Sequence, residues 1–197
     1  HGHPDALNIG IDAYGFNLAP ELGYPEVTTA ADKTLNWSDA TVSHNTVMVN
    51  NASQTPVSAR GGNPQHFDDS GRVKVVDADV SNAYAATSTY RRTIVMVDVN
   101  DDVSYGVDFF HVNGGNDHTY VFHAMSDEIA ETSGLDLVEQ KGEDGSWIGS
   151  YAGPDVPFET PNIKSGYSYL KNVRRASRVS NGIFAVDFKI KDFKNHM

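Results

Sequence analysis

Histidine and carboxylate side chains near the start of the sequence form a set that could bind a metal ion. The first residues read His1-Gly2-His3-Pro4-Asp5, and Glu21 and His44 follow further along the chain. Imidazole nitrogens and carboxylate oxygens suit zinc and other borderline divalent ions, and ligands from separate strands can meet in space. Because the chain contains 8 histidines and 26 acidic residues, accidental triples are common. The sequence around each residue must therefore carry the assignment.

The elements around these residues are predicted to bring two of them together. Residues 7–13 alternate between apolar and polar with the period of a half-buried strand, and residues 14–17 turn the chain into a second short strand that ends at Pro20. This pattern predicts a β-hairpin. His3 would lie just before its first strand and Glu21 just after its second, so the two side chains would lie close enough to share a metal ion.

The rest of the chain predicts a series of strands joined by polar turns. Residues 100–102 and 113–116 predict hairpin turns, whereas residues 61–64 and 25–38 predict loops. The strands are predicted at 46–49, 73–76, 84–88, 93–99, 105–112, 118–125, 135–140, 147–151, 167–172 and 183–191. This spacing leaves no room for crossover helices. We therefore expect an all-β fold, a large antiparallel β-sandwich, with residues 1–197 in one domain.

Composition narrows the possible partners. The formal net charge of −11 argues against nucleic acid and against an anionic membrane, because both require clustered Lys and Arg. An acidic sugar stays possible because charges are screened over ~8 Å, so a local patch decides recognition. Candidate patches are Arg91-Arg92 and Arg174-Arg175-x-x-Arg178. The chain contains no cysteine, which excludes disulfides and thiolate metal sites, and no apolar run approaches the ~20 residues that span a bilayer.

Three phrases in fixed order resemble the heparinase II/III-like family of polysaccharide lyases, in the segment where a helical toroid is followed by a β-sandwich. The phrases are His1-Gly2-His3-x-Asp5, Glu21-Leu22-Gly23-Tyr24, and Trp37 followed by His44-Asn45-Thr46-Val47. The close match covers about the first fifty residues. Beyond it the resemblance lies in the repeated strands. The resemblance thus covers the candidate metal ligands and the strands that follow them.

The resemblance implies a role for each residue of the candidate site. In the family, the residues that correspond to His3, Glu21 and His44 bind zinc, which here would be structural. The first histidine of the opening phrase takes part in proton transfer or in holding the uronate, which makes His1 the expected catalytic residue. Asp5 is expected outside the ligands, where a carboxylate can accept a hydrogen bond from a ligating imidazole and fix its tautomer.

The sequence departs from the family pattern in three respects. The acidic ligand is usually Asp, and here it is Glu21. A catalytic tyrosine between this acid and the His-Asn-Thr phrase has no counterpart in residues 25–43, so either Tyr24 takes this role or a residue elsewhere does. Tyr24 and Arg92 are predicted to contact substrate. The family's other catalytic groups lie on the helical domain. We expect this chain to lack that N-terminal helical toroid and to be a fragment of a larger lyase.

The implied reaction is cleavage of a uronic-acid-containing polysaccharide by β-elimination. The proton α to the carboxylate is weakly acidic, so its removal requires a neutralised carboxylate, a base, and an acid at the leaving 4-linked oxygen. Histidine, with an unperturbed pKa of ~6.5, can supply base or positive charge. We therefore expect an acidic polysaccharide or oligosaccharide substrate, and a periplasmic or secreted parent of bacterial type. The isolated chain is expected to be inactive or nearly so.

Three alternatives remain open at this point. An N-terminal His-Gly on a β-sandwich resembles copper-dependent polysaccharide monooxygenases, in which His1 and His44 would bind copper, although those proteins usually carry disulfides. His3-x-Asp5 with a distal His44 also fits the facial triad of iron oxygenases on a jelly roll. A non-catalytic carbohydrate-binding module is the third alternative.

Overall fold

Strands dominate the part of the chain that the computed structural model describes, which is residues 3–21, 37–55, 62–126, 128–161, 163–177, 179 and 182–190. In these ranges every strand pair is antiparallel, and two 3-10 helices occur, Thr41–Ser43 and Tyr167–Tyr169. The predicted all-β fold of antiparallel sheets is confirmed. Among the described residues, no helix is both long and apolar enough to cross a membrane.

The chain divides into two compact units. The first contains His1–Ile9 and Ser38–Val121, and the second contains Gly10–Trp37 and Phe122–Met197. The prediction of a single domain over residues 1–197 stays a prediction. The strands are, in chain order, β1 (Ile11–Ala13), β2 (Phe16–Ala19), β3 (Val47–Val49), β4 (Asn63–Asp68), β5 (Val73–Asp79), β6 (Thr87–Asp98), β7 (Ser104–Gly114), β8 (His118–Tyr120), β9 (Ile129–Ser133), β10 (Val138–Glu139), β11 (Arg174–Arg175) and β12 (Ala185–Phe188).

The first unit is built around a four-stranded meander in the order β4-β5-β6-β7. Strands β5 and β7 contain the predicted strands at 73–76 and 105–112 and extend them, and β6 covers all but the last residue of the predicted strand at 93–99. The predicted turn at 100–102 is confirmed because Asn100 Oδ1 accepts the backbone N–H groups of Asp102 and Val103 at 2.9 Å each. An Asn side chain that mimics a backbone turn in this way holds the two longest strands in register.

Strand β8 pairs with β3 and not with β7, so the predicted hairpin turn at 113–116 is wrong. The chain leaves β7 at Gly114, whose φ is 100°, a conformation that favours glycine. The side chain of Asn50, just after β3, then accepts the backbone N–H of Asn116 at 2.8 Å. This contact directs β8 alongside β3. The glycines and asparagines of the turn were visible in the sequence, but the partner strand was not.

The core of the first unit lies between β3 and the inner face of the meander. Tyr90 of β6 is fully buried, and its ring packs edge-to-face on Phe110 of β7 with a centroid distance of 4.9 Å. The buried apolar cluster consists of Val47, Val49, Val80, Ala83, Tyr84 and Tyr90. Because side chains of β3 pack against those of β6 and β7, this unit has the face-to-face sheets of a β-sandwich.

One strand of the meander was missed in the sequence. Residues 61–64 predict a loop, yet β4 starts at Asn63, and all its side chains are exposed. An edge strand with one partner and no buried face shows no apolar alternation, and Pro64 is tolerated there because an edge residue need not donate to the ladder. The signals used to find buried strands therefore do not apply to β4.

The second unit contains the hairpin of β1 and β2 and two further strand pairs, β9 with β12 and β10 with β11. Tyr14 and Gly15 connect β1 to β2 with φ values of 55° and 78°, the positive pair typical of a type I′ turn. The predicted hairpin is thus confirmed, with shorter strands. The strand predicted at 167–172 is wrong, because a 3-10 helix follows Gly166, whose φ is 74°.

Candidate metal centre

His3 and His44 lie together in the interior of the first unit. Their side chains are buried, at 2% and 1% exposure, and their ring centroids lie 5.5 Å apart with an interplanar angle of 39°. His44 directly follows the 3-10 helix Thr41–Ser43 and its backbone N–H closes that helix on Thr41 O. The two imidazoles that the family resemblance predicted as ligands of one metal ion are therefore adjacent.

Asp5 completes a group of three potential ligands within this unit. His3, Asp5 and His44 each offer one ligand atom, and these atoms lie within 4.8 Å of one another. Two imidazole nitrogens and a carboxylate oxygen form a donor set that suits zinc, and three protein ligands leave one position of a tetrahedral site for a further ligand. The donor chemistry of the site thus fits a divalent metal ion. Asp5 lies close enough to be a ligand, and its predicted role outside the ligands stays a prediction.

The hydrogen bond of His44 decides which of its nitrogens is available. Its Nε2 lies 3.0 Å from the backbone oxygen of Ser38, and a carbonyl oxygen can only accept, so Nε2 carries the proton. In the neutral imidazole the lone pair is then on Nδ1. A backbone carbonyl that fixes the tautomer of a ligating histidine is a common feature of metal sites.

The segment that carries His3 and Asp5 is held by side chains. Pro4 O accepts the Thr41 hydroxyl at 2.7 Å, and Ala6 O accepts the hydroxyl of Thr46 at 2.9 Å. Gln54 contacts Ala6 on both sides, since its Oε1 accepts the backbone N–H at 2.8 Å and its Nε2 donates to the oxygen at 3.1 Å. These bonds satisfy backbone groups that a neighbouring strand would otherwise satisfy.

Asn45 links the His44 segment to the same N-terminal stretch. Its backbone N–H donates to Asn8 Oδ1 at 2.7 Å, and its Nδ2 donates to Ile9 O at 3.0 Å. Sequence reasoning assigned no role to Asn45 or Thr46. The signal that could have found them is the polar run before the apolar strand β3, because a buried polar run requires specific partners.

Tyr90 supports this arrangement from the core. Its hydroxyl donates to Val47 O at 2.6 Å, contacts the Thr46 hydroxyl at 2.9 Å, and accepts from Gln54 Nε2 at 2.9 Å. Burial raises the pKa of the Tyr90 phenol, against the opposing effect of these hydrogen bonds. The phenol therefore stays protonated and can donate to Val47 throughout the neutral range.

Arg92 is also buried, with 3% of its side chain exposed. Its Nε and Nη2 donate to the two carboxylate oxygens of Asp108 at 2.9 and 2.7 Å, a bidentate geometry. Nη1 donates to the backbone oxygens of Leu7 and Asn45. The guanidinium also lies over the Phe110 ring, 5.1 Å from its centroid. The predicted role of Arg92 in substrate binding stays a prediction, and these contacts favour a structural role.

Tyr120 of β8 extends the Arg92–Asp108 pair. Its hydroxyl donates to Asp108 Oδ2 at 2.7 Å and lies 3.2 Å from Arg92 Nη2. Burial, followed by the hydrogen bond and the negative charge of Asp108, raises the pKa of Tyr120 to about 12. Sequence reasoning missed Asp108 and Tyr120. A carboxylate on the inner face of the apolar strand β7 was the available signal for Asp108.

The sequence also singled out His1, Tyr24, Glu21 and further arginines. His1, Tyr24 and Arg178 lie outside the described residues, and Glu21 lies in the second unit shortly after β2, partly buried. The roles of His1, Tyr24 and Glu21 stay predictions. Of the other cations of the candidate patches, Arg91 is paired with Asp77 and Arg174 with Glu139, and Arg175 donates to the backbone oxygen of Tyr151 at 2.7 Å.

The comparisons with known proteins bear on the whole chain. The family model described as heparinase II/III-like, C-terminal, matches residues 1–187, and the chain belongs to this family. No curated protein and no solved structure matched the sequence. Membership gives the chain a polysaccharide lyase context and suggests a polysaccharide substrate. The predicted family is thus confirmed, and the match extends far beyond the opening phrases.

Proposed function

We propose that this chain is the β-sandwich part of a lyase that cleaves uronic-acid-containing polysaccharide by β-elimination, with a structural zinc site formed by His3, Glu21 and His44. The observation that carries the proposal is the convergence of the ligand atoms of His3, Asp5 and His44 within 4.8 Å in a chain of this family. Glu21 enters through the family resemblance, which aligns it with the acidic ligand.

The metal site would position the N-terminal segment. Bound zinc would supply a fixed tetrahedral link between its ligands. His3 and His44 hold the two segments in contact, and the Ser38 carbonyl fixes the His44 tautomer. Asp5 serves either as a ligand or as an acceptor for an imidazole N–H. His1 precedes His3 by two residues, so an ordered His3 would restrict where the His1 imidazole can lie.

The chemistry assigned to this chain is proton transfer by His1. In β-elimination, a base removes the proton α to the uronate carboxylate, electrons form the C4–C5 double bond, and the 4-linked oxygen leaves with a proton. The carboxylate must be neutralised to stabilise the charge that develops there. The family resemblance puts the other catalytic groups on a helical domain. We therefore propose that the full-length, periplasmic or secreted protein is active and that the isolated chain is inactive.

The test measures the new double bond directly. The full-length protein is incubated with a panel of uronate polymers, and the absorbance of unsaturated uronate ends is followed. We expect activity on at least one polymer, with loss in His1→Ala while metal content is unchanged. The proposal fails if no polymer gives unsaturated ends, and oxidised ends formed only with copper and a reductant would identify a monooxygenase.

A further inference from the structure

The N–H groups of the Arg92 side chain donate to acceptors within the protein itself. A guanidinium carries five N–H groups, and Arg92 directs them to Asp108 twice, to Tyr120, and to two backbone carbonyl oxygens. The side chain is 3% exposed. A substrate carboxylate would have to displace Asp108 or a carbonyl and enter the interior. The contacts of Arg92 therefore favour a role in stabilising the fold over a role in binding a sugar.

The two carbonyls that Arg92 holds belong to the two segments of the metal centre. Asn45 directly follows His44, and Leu7 closely follows Asp5. One planar guanidinium thus contacts both segments, with Asn45 O at 2.6 Å from Nη1. Asp108 fixes the guanidinium in its plane by the bidentate pair and compensates its buried charge. Tyr120 in turn donates to Asp108.

We infer that Arg92 is a positioning residue of the metal centre: held by Asp108, it sets the separation of the segments that carry His3, Asp5 and His44. This inference rests on the proposed metal site. Lysine could not take its place, because an ammonium is a point charge with three donors and cannot span a carboxylate and two carbonyls in one plane. Partners that orient ligands from outside typically change metal affinity by about 10- to 100-fold when mutated.

The neighbouring residue provides a matched control. Arg91 points to the opposite face of β6, its side chain is 45% exposed, and it is paired with Asp77. Arg91→Lys is thus the same substitution, one residue away, on the same strand, and outside the network of Arg92. Any general effect of replacing an ion-paired arginine in β6 appears in both variants.

The experiment compares zinc affinity in the whole chain by competition with a chelator, for wild type, Arg92→Lys and Arg91→Lys. We expect the dissociation constant to rise by about 10- to 100-fold in Arg92→Lys and to stay unchanged in Arg91→Lys. The absorption spectrum of the cobalt-substituted protein should change only in Arg92→Lys. An unchanged affinity and spectrum in folded Arg92→Lys would overturn the inference, even if unfolding in urea showed a loss of stability.

Two further measurements cover the remaining outcomes. If Arg92→Lys does not fold, Asp108→Asn replaces it and should weaken zinc binding in the same direction. Hydrogen exchange of the metal-free protein tests positioning without zinc, since the Ala6 and Asn45 amides should exchange faster in the Arg92 or Asp108 variant than in Arg91→Lys. Wild-type protein that binds no metal refutes the proposed site, whereas equal exchange rates in these variants refute the positioning role.

Discussion

His3 and His44 are in ring contact, 5.5 Å between centroids, although one lies near the start of the chain and the other three residues before β3. Neither belongs to a strand. The contact is maintained by side-chain hydrogen bonds from Thr41, Asn45 and Thr46 to the backbone of the N-terminal segment. The polar residues around His44 thus supply hydrogen bonds that a neighbouring strand would otherwise make to the N-terminal segment. These bonds bring the two rings together.

Replacing His44 should abolish metal binding. His44→Ala removes an imidazole whose tautomer is already fixed by the Ser38 carbonyl, and two remaining ligands hold zinc poorly. Metal analysis after purification without chelator should show a large loss relative to wild type. Glu21→Gln should lower the metal content if Glu21 is a ligand. His66→Ala, on the exposed edge strand β4, should keep the wild-type content, and a similar loss there would show that the binding is not specific.

Removing the metal should lower thermal stability. Binding only to the folded state adds RT ln(1 + [L]/Kd), about 2.7 kcal/mol at a metal concentration of 100 Kd. Chelation should therefore lower the melting temperature of wild type, and added zinc should restore it. His44→Ala should show no shift with either treatment. A wild-type melting temperature that changes neither with chelator nor with added zinc would contradict a structural role for the ion.

Tyr90→Phe should destabilise the first unit by about 1–3 kcal/mol, the cost of leaving buried polar groups without a partner. The lost hydroxyl contacts Val47 O, Thr46 and Gln54, and the ring itself would still fit. The measurement is urea unfolding at neutral pH. Tyr105→Phe, at a tyrosine 53% exposed on β7, is the control and should differ little from wild type. Equal stabilities of the two variants would contradict the assigned network.

The Tyr120 hydroxyl should lose its proton only at high pH, and this loss should reduce the free energy of unfolding. Its pKa is about 12 in the folded protein against an ordinary value of 10.0, so the stabilisation is complete below pH 10 and is lost as pH rises through 12. Unfolding free energy should therefore fall more steeply between pH 10 and 12 in wild type than in Tyr120→Phe. Because the variant also loses a hydrogen bond to Asp108, the slopes are compared. Identical slopes would refute the shifted pKa.

The strands that the sequence predicted well are those with a buried face. β6 and β7 alternate because their inner side chains pack on β3, and this pattern needs no knowledge of the partner. β4 has no buried face. β8 pairs with β3, and the Asn50 side chain binds the turn that leads into β8. Neither fact is local, so neither could be derived from residue order. The strand predicted at 167–172 is wrong for a local reason, since Gly166 adopts a left-handed conformation that composition alone does not indicate.

Some residues of the candidate site were also predictable from the sequence and others were not. The phrases of the sequence predicted His3 and His44 as partners, and the structure places them together. Asp108 and Tyr120 could not be assigned, because their importance depends on Arg92 lying buried between β7 and the N-terminal segment. A charged residue in a strand usually faces solvent, and Arg91, beside it, does so. Only the pairing register of β6 and β7 distinguishes the two arginines.

The pairing of β3 with β8 has a consequence for the order of folding. The hairpins of β4 to β7 form between neighbours in sequence, whereas β3 pairs with β8, a strand that follows the whole meander in sequence. Long loops cost closure entropy before their contacts stabilise them, and non-local pairing slows folding. We expect exchange protection during refolding to reach β5, β6 and β7 before β3. The candidate metal centre at His44 would then form last, so zinc would bind a nearly complete fold and could not nucleate folding.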